Sequence, residues 1–310
     1  MPSTITHSYM AKDIYDNLNE KVKSIFNDKL SDYITYSQGT DILFFYPFIP
    51  FVLKANKIRN LGKRVHKEKV NEFFISLIEE VKKDKNIDKF IYLSGMITHY
   101  VGDSLCHPLI NYLHEKLKLE NQKKKNYHFK IEAYIDNYIL NLKNNSYKNF
   151  KCYNLIKAKK NQSIKNLLDN TYFKVFKEKN MGNNYYKSLY NMYFLFYLIR
   201  YDPYGIKKVF YDIIHFLMPF LKKDIRYFSY NFDLSLSESN LYLNLDKKNW
   251  YNPKKTTIKR NESFLELYDK AITKGTYMIE KLYDYIYEEQ NLDLDSFLGN
   301  LSYSSGLPIK

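Results

Sequence analysis

Apolar positions recur every three or four residues over most of this chain, the period of a helix with one buried face. Residues 9–30 carry Tyr9, Ile14, Leu18, Val22 and Phe26 at that spacing and predict a first helix, with Thr6 as its cap. Gln38, Gly39, Pro47 and Pro50 break the next stretch into a turn and an irregular apolar segment. A strong helix is predicted over 63–83, burying Val70, Phe73, Phe74, Leu77, Ile78 and Val81. Others follow at 88–106 and 127–142, with NQKKKN at 121–126 as a solvated loop. Pro108 either opens a new helix or kinks the one before it. Farther on, 185–199 and 208–221 read as aromatic-rich helices joined through Asp202, Pro203 and Gly205. The stretch 228–246 mixes strand-like alternation with Ser and Asn, as a hairpin or an extended connection, and 262–288 is a final helix with Asn261 as a candidate cap. The pattern predicts an all-α, multi-helix bundle: a helical core over 1–145, and a helical C-terminal part over 146–310, where Asn and Lys become frequent, completing or flanking it.

Chemistry concentrates in one of these helices. The segment HYVGDSLCH sets His99, Asp103 and His107 four residues apart, which places them on one slowly rotating stripe. Around them stand Phe90, Ile91, Leu93, Met96, Ile97, Val101 and Leu105, so much of this helix is buried. An unpaired carboxylate there costs several kcal/mol or stays protonated. A transition metal removes that cost; a plain His–Asp hydrogen bond is the blander solution. Gly95 and Gly102, each unfavourable in a helix by ~1 kcal/mol, fit a second element packed closely against this one. His128 and Glu132 repeat the four-residue spacing in a partly buried setting, and two helices presenting such pairs can enclose ions, since zinc accepts imidazole nitrogen and carboxylate oxygen. Asp41 stands at the threshold of the apolar run 42–53, as a turn residue, an N-cap or a ligand. His7 precedes the first helix and His66 lies one turn before the buried face of its own. Of the remaining histidines, His114 reads as solvent-facing and His215 as a core residue.

Composition narrows the partners. At 310 residues, with 45% apolar and 17% aromatic content, the chain is too apolar for disorder and long enough for one large core or two modest ones. The net charge of +14 is uneven: residues 114–187 hold 17 lysines and no arginine against 6 acidic residues, which favours an anionic partner such as a phosphate ester, a nucleic acid or a membrane surface. Cys106 and Cys152 are too few for a disulfide framework. The start, MPSTITHSYMAKD, has no apolar core of the signal-peptide kind, so the chain reads as cytoplasmic. The apolar runs 42–53 and 189–199 are too short to span a bilayer.

The ordered series His7, Asp41, His66, His99 with Asp103, His107, and His128 with Glu132, together with YLSGMITHYVGDSLCHPLINY and the later IEAYID, resembles the zinc-dependent phospholipase C family of bacteria, in its intracellular or uncharacterised branch. The resemblance covers about residues 5–140, and Trp250 with Asn252 and Pro253 is similar to a less defined feature of that branch. It implies an all-helical fold related to the S1/P1 nucleases and two or three Zn2+ ions. His66, His99, Asp41 and Asp103 would hold one ion; His107, His128 and Glu132 a second; Asp103 would bridge to a third, also bound by His7. In the family that third ion uses the amine of an N-terminal Trp, for which Met1 or Pro2 would have to stand in.

What the resemblance implies for activity is phosphodiester hydrolysis by metal-activated water. Asp41 is the residue expected to activate or position that water, and Asp136, one turn past Glu132, is a candidate to orient a ligand histidine from behind. The substrate expected is a phosphate ester, with phospholipid and transient membrane contact within that expectation. An S1/P1-like single-strand nuclease stays open because the basic excess suits nucleic acid, although Glu132 stands where those enzymes have Asp. A metal-stabilised binding domain without catalysis is the third reading.

Overall fold

The structure, a computed structural model, describes residues 4–46, 54–120, 127–146, 148–157, 159–206, 209, 213 and 239–309. Its helices are α1 Thr4–Asn17, α2 Glu20–Lys23, α3 Leu30–Tyr36, α4 Lys54–Val65, α5 Val70–Asp84, α6 Ile87–Glu120, α7 His128–Leu142, α8 Gln162–Phe176, α9 Met181–Leu198, α10 Ser239–Leu243, α11 Phe264–Tyr287 and α12 Leu294–Leu298. Turns of 3-10 helix occupy Ser24–Lys29, Gly39–Phe45 and Cys152–Leu155, and one short antiparallel pair, β1 Trp250–Asn252 with β2 Lys255–Arg260, is the sheet among the described residues. The fold is all-α, as the apolar period predicts. Met1, Pro2, the loop 121–126, His215, the two prolines of the apolar run, and most of 208–221 and 228–238 lie outside the described residues.

Several boundaries differ from the periodic pattern, each for a local reason. The first predicted helix stops at Asn17 because Asn19 turns extended (φ −62, ψ 155) and its side chain accepts from Val22 N–H, capping a new helix. The helix expected over 63–83 is two, α4 and α5, separated by a turn that ends with Lys69 in the left-handed region at φ 52. His66 therefore sits in a connection rather than on a helix face. Conversely, α6 runs through Pro108 without ending. The stretch expected as a hairpin begins, where described, as the helix α10, and the hairpin lies just beyond it at 250–260.

The chain divides into two compact units, each assembled from three stretches: Met1–Thr6, Leu109–Asn154 and Tyr193–Leu265 form one, and His7–Pro108, Leu155–Met192 and Glu266–Lys310 the other. In the second, α5 buries Val70, Phe73, Phe74, Leu77, Ile78 and Val81 completely, the six apolar positions its period selects. Phe73 meets Tyr172 of α8 with ring centroids 5.1 Å apart. Helix α11 lies on α1, where an added Cβ at Gly275 would come within 2.5 Å of Ile14 and the Tyr268 hydroxyl donates to Asp13 at 2.7 Å. In the first unit, Tyr134 of α7 stacks on Tyr242 of α10 at 4.3 Å, and the buried Trp250 indole N–H donates to the Glu262 carbonyl at 3.0 Å.

Asp136 of α7 ties down the start of the chain. Its carboxylate accepts from the Thr6 N–H at 2.8 Å, the Thr6 hydroxyl at 2.7 Å and the Ile5 N–H at 3.4 Å, serving amides that a first helical turn leaves unpaired. Thr6 is thus a donor inside α1 rather than its cap, and Asp136 accepts hydrogen bonds from this turn. Burial pushes Asp136 up to about 7, against the lowering effect of its bonds with Thr6. The folded chain therefore holds this proton more tightly than the unfolded one. Its stabilising contribution is full below the ordinary carboxylate range and is lost as pH rises through about 7. Asp136→Asn cannot ionise, so its urea midpoint relative to the parent protein is expected to climb between mildly acidic and mildly alkaline buffer. A gap that stays constant or shrinks over that range would show Asp136 to be an ordinary carboxylate.

Candidate metal centre

The long helix α6 supplies the stripe. His99 is fully buried, Asp103 nearly so, and His107 half-buried one turn on. Asp103 Oδ1 lies 3.1 Å from His107 Nδ1 and 3.1 Å from His7 Nε2, while its Oδ2 lies 3.5 Å from His99 Nε2. His7 arrives on α1, which can come this close because α6 has no side chain at Gly102: an added Cβ there would stand 2.9 Å from Met10 Sδ and 3.4 Å from His7 Cε1. Gly95 does the same for the end of α3, with Tyr36 Cβ at 2.5 Å from the added atom. The close packing read from these two glycines is what the fold contains.

The 3-10 turn Gly39–Phe45 brings in Asp41, held by its neighbours against α1 and α6. Ser37 donates its hydroxyl to the His7 carbonyl at 3.2 Å, and Gln38 donates to the Ser8 hydroxyl at 3.1 Å. Asp41 Oδ1 then lies 3.4 Å from His66 Nε2 and its Oδ2 3.8 Å from His99 Nε2. Both carboxylate oxygens of Asp41 face imidazole nitrogens. The Thr40 hydroxyl, a contact with no sequence signal, sits 2.9 Å from His66 Nε2.

These separations suit an ion better than they suit hydrogen bonds. His66 Nε2 stands 3.4 Å from His99 Nε2 and 3.4 Å from Asp41 Oδ1, and His99 Nε2 lies 3.8 Å from Asp41 Oδ2 and 3.5 Å from Asp103 Oδ2. Four donors at 2.0–2.1 Å around a tetrahedral zinc ion lie about 3.3 Å from one another. A single ring proton on His99 can satisfy one of its three neighbours, whereas a cation at the centre satisfies all of them. Burial pushes the His66 imidazole down to about 4 and His99 well below its usual range, against the pull of Asp103, so both rings are neutral and each has a bare nitrogen to offer. Burial alone would raise Asp103, but the facing imidazoles of His107, His99 and His7 hold it well below the ordinary carboxylate range, an anion ready to ligate. Nδ1 of His7 and of His99 is buried without a hydrogen-bond partner. The donor types fit zinc: Asp41, His66 and His99 each bring a ligand atom within 4.8 Å of the others, and His7, His99 and Asp103 do the same.

Of the eight residues selected from sequence, His7, Asp41, His66, His99, Asp103 and His107 come together in this unit. His128 and Glu132 belong to the other, where Nε2 and Oε1 approach to 2.9 Å on α7. His114 is the histidine that patterning misjudged: it is half-buried rather than solvent-facing, its ring 6.1 Å from that of His128. Burial, then His128, lowers its pKa, and its buried Nδ1 has no partner. Tyr303 is the second omission. It comes from the last residues of the chain, packs its ring 4.5 Å from His66 and 5.7 Å from His99, and carries no motif that would have marked it. Elsewhere in this unit, three lysines of the basic stretch, Lys160, Lys165 and Lys187, line a hollow of about 780 Å³ with Tyr46, Tyr186 and Tyr190, and no carboxylate among the described residues lines it.

A family model described as zinc dependent phospholipase C matches residues 6–182, a span that includes every candidate ligand named above. No curated protein and no solved structure matches the chain.

Proposed function

Because this chain belongs to the zinc-dependent phospholipase C family, we propose that it is a zinc-dependent phosphodiester hydrolase acting on a phosphate ester of the phospholipid type. The observation that supports this most directly is the triad Asp41, His66 and His99, with contacts of 3.4, 3.4 and 3.8 Å near the edge lengths of a tetrahedral zinc site and Asp103 standing 3.5 Å from His99. Zinc bound there supplies Lewis acidity toward the phosphoryl oxygens and a water of near-neutral pKa. The chain supplies the rest. Neutral His66 and His99 face the anionic Asp103 and the Asp41 carboxyl group, and burial of the group keeps bulk water from screening it. Asp41 takes the proton of the attacking water as its oxygen bonds to phosphorus and the ester P–O bond breaks; the departing alcohol leaves protonated from solvent. The lysine-lined hollow gives the same unit a cationic surface for a phosphate-bearing substrate. No described helix is long and apolar enough to cross a membrane.

The test measures zinc per chain alongside hydrolysis of phosphatidylcholine, bis(4-nitrophenyl) phosphate and single-stranded DNA, before and after treatment with 1,10-phenanthroline. Bound zinc and chelator-sensitive release of a phosphorylated headgroup are expected, with activity restored by added zinc. Nucleotide release without headgroup release would transfer the chain to the nuclease reading, and zinc without turnover on any of the three would leave a binding domain.

A further inference from the structure

The last residues of the chain lie beyond the family match, yet they are built onto the candidate centre at several independent points. The Tyr100 hydroxyl, one residue from His99, donates to the Leu298 carbonyl at 2.6 Å and accepts from the Leu301 N–H at 3.0 Å. Asn71 and Asn300 exchange hydrogen bonds at 2.8 and 3.2 Å. Pro108 has no N–H to give the Ser104 carbonyl, and the backbone of Gly306 lies against that carbonyl instead. An added Cβ at Gly306 would stand 2.3 Å from it, and φ there is +63, so glycine is required twice over. The Tyr303 N–H donates to the carbonyl of His66 itself at 3.2 Å.

What this segment delivers is a phenol. Tyr303 is 1% exposed, with its ring against His66, His99 and Tyr100, and its hydroxyl is buried without a hydrogen-bond partner. Tyr100, its neighbour, spends its own hydroxyl on two backbone groups of the same segment, so the packing here satisfies a tyrosine where it has no other use for one. A buried phenol left unsatisfied is costly and calls for a partner that binds. A phenol is a neutral hydrogen-bond donor, and this one stands beside the candidate ligands.

We propose that Tyr303 is a substrate-binding residue of the metal centre, whose hydroxyl donates a hydrogen bond to a phosphoryl oxygen of the bound ester while its ring fixes the His66 imidazole. This rests on the phosphodiesterase reading for its substrate, but not for its measurement. Tyr303→Phe removes one oxygen and keeps the ring; Tyr303→Leu removes both. In full-length Tyr303→Phe, zinc affinity measured against a chromophoric chelator is expected to stay within about twofold of the parent protein, while the Kd of the zinc-loaded protein for inorganic phosphate rises about tenfold. In Tyr303→Leu, zinc affinity itself is expected to fall about tenfold, as on loss of a group that orients a ligand. A zinc-loaded Tyr303→Phe with unchanged phosphate Kd and a raised melting temperature overturns the proposal, since the hydroxyl is then an unsatisfied core group and no more. A parent protein that binds zinc and phosphate but cleaves no phosphodiester sinks the hydrolase reading alone, and the phosphate Kd of the two proteins still decides the role of Tyr303. A parent protein that takes up no zinc overturns both.

Discussion

Asp103→Asn is expected to strip the centre of metal and to lower phosphodiester hydrolysis by well over about a hundredfold, the upper range for groups that merely support a ligand. Asp103 is the one side chain that faces His7, His99 and His107 together, with an oxygen for the first and third and the other oxygen for the second. The amide is nearly the same size, so packing survives. What is lost is the negative charge that offsets a divalent cation among neutral imidazoles, and one oxygen becomes an N–H2 aimed at rings that offer a lone pair or their own N–H. Elemental analysis for zinc and the rate on bis(4-nitrophenyl) phosphate read the two effects. A variant that keeps full zinc and full rate removes Asp103 from the ligand set.

The second large effect is expected from a residue with no side chain. Gly39 sits at φ +56, and a Cβ added there would lie 2.2 Å from His99 Cδ2, 2.4 Å from Cγ and 2.8 Å from Cβ. His99 is fully buried and cannot swing aside without carrying its Nε2 away from Asp41, Asp103 and His66. Gly39→Ala combines left-handed strain of about 1–2 kcal/mol with overpacking of about 1–3 kcal/mol, so a loss of roughly 2–5 kcal/mol is expected in urea unfolding, with zinc affinity falling in whatever folds. A loss below about 1 kcal/mol would mean that the turn and His99 relax apart freely.

The periodic parts of the chain were legible because one buried face per helix writes itself into the order of residues. Helix α5 buries the six apolar positions its spacing selects, and the i, i+4 spacing of His99, Asp103 and His107 holds along the single helix that carries them. Gly95 and Gly102 announced a close neighbour, since a helix tolerates their cost only for such a return. What failed was punctuation. Asn19 caps a helix where the apolar period continues unbroken, and the turn ending at Lys69 interrupts a pattern that on its own reads as one helix, so His66, expected in that helix one turn before its buried face, lies in the connection instead. Of the two expectations for Pro108, the new helix does not form: α6 continues through the proline, and the backbone of Gly306 lies against the Ser104 carbonyl that has lost its amide partner.

The sequence by itself determined the helical class, the inventory of ligating side chains and the helices that carry the α6 stripe and the His128–Glu132 pair, because these follow from residue type and from a fixed 100° step along one helix. Only the tertiary structure decided that His7, 96 residues before Asp103, meets it at 3.1 Å, that Asp41 and His66 meet His99 of the same helix at 3.8 and 3.4 Å, and that Tyr303, 200 residues beyond Asp103, packs against His66 and His99. Contacts of that span are set by which apolar faces bury one another and by where glycine lets two backbones touch. No spacing rule along the chain encodes them, so the phenol at its end left no trace in the sequence pattern that pointed to the metal.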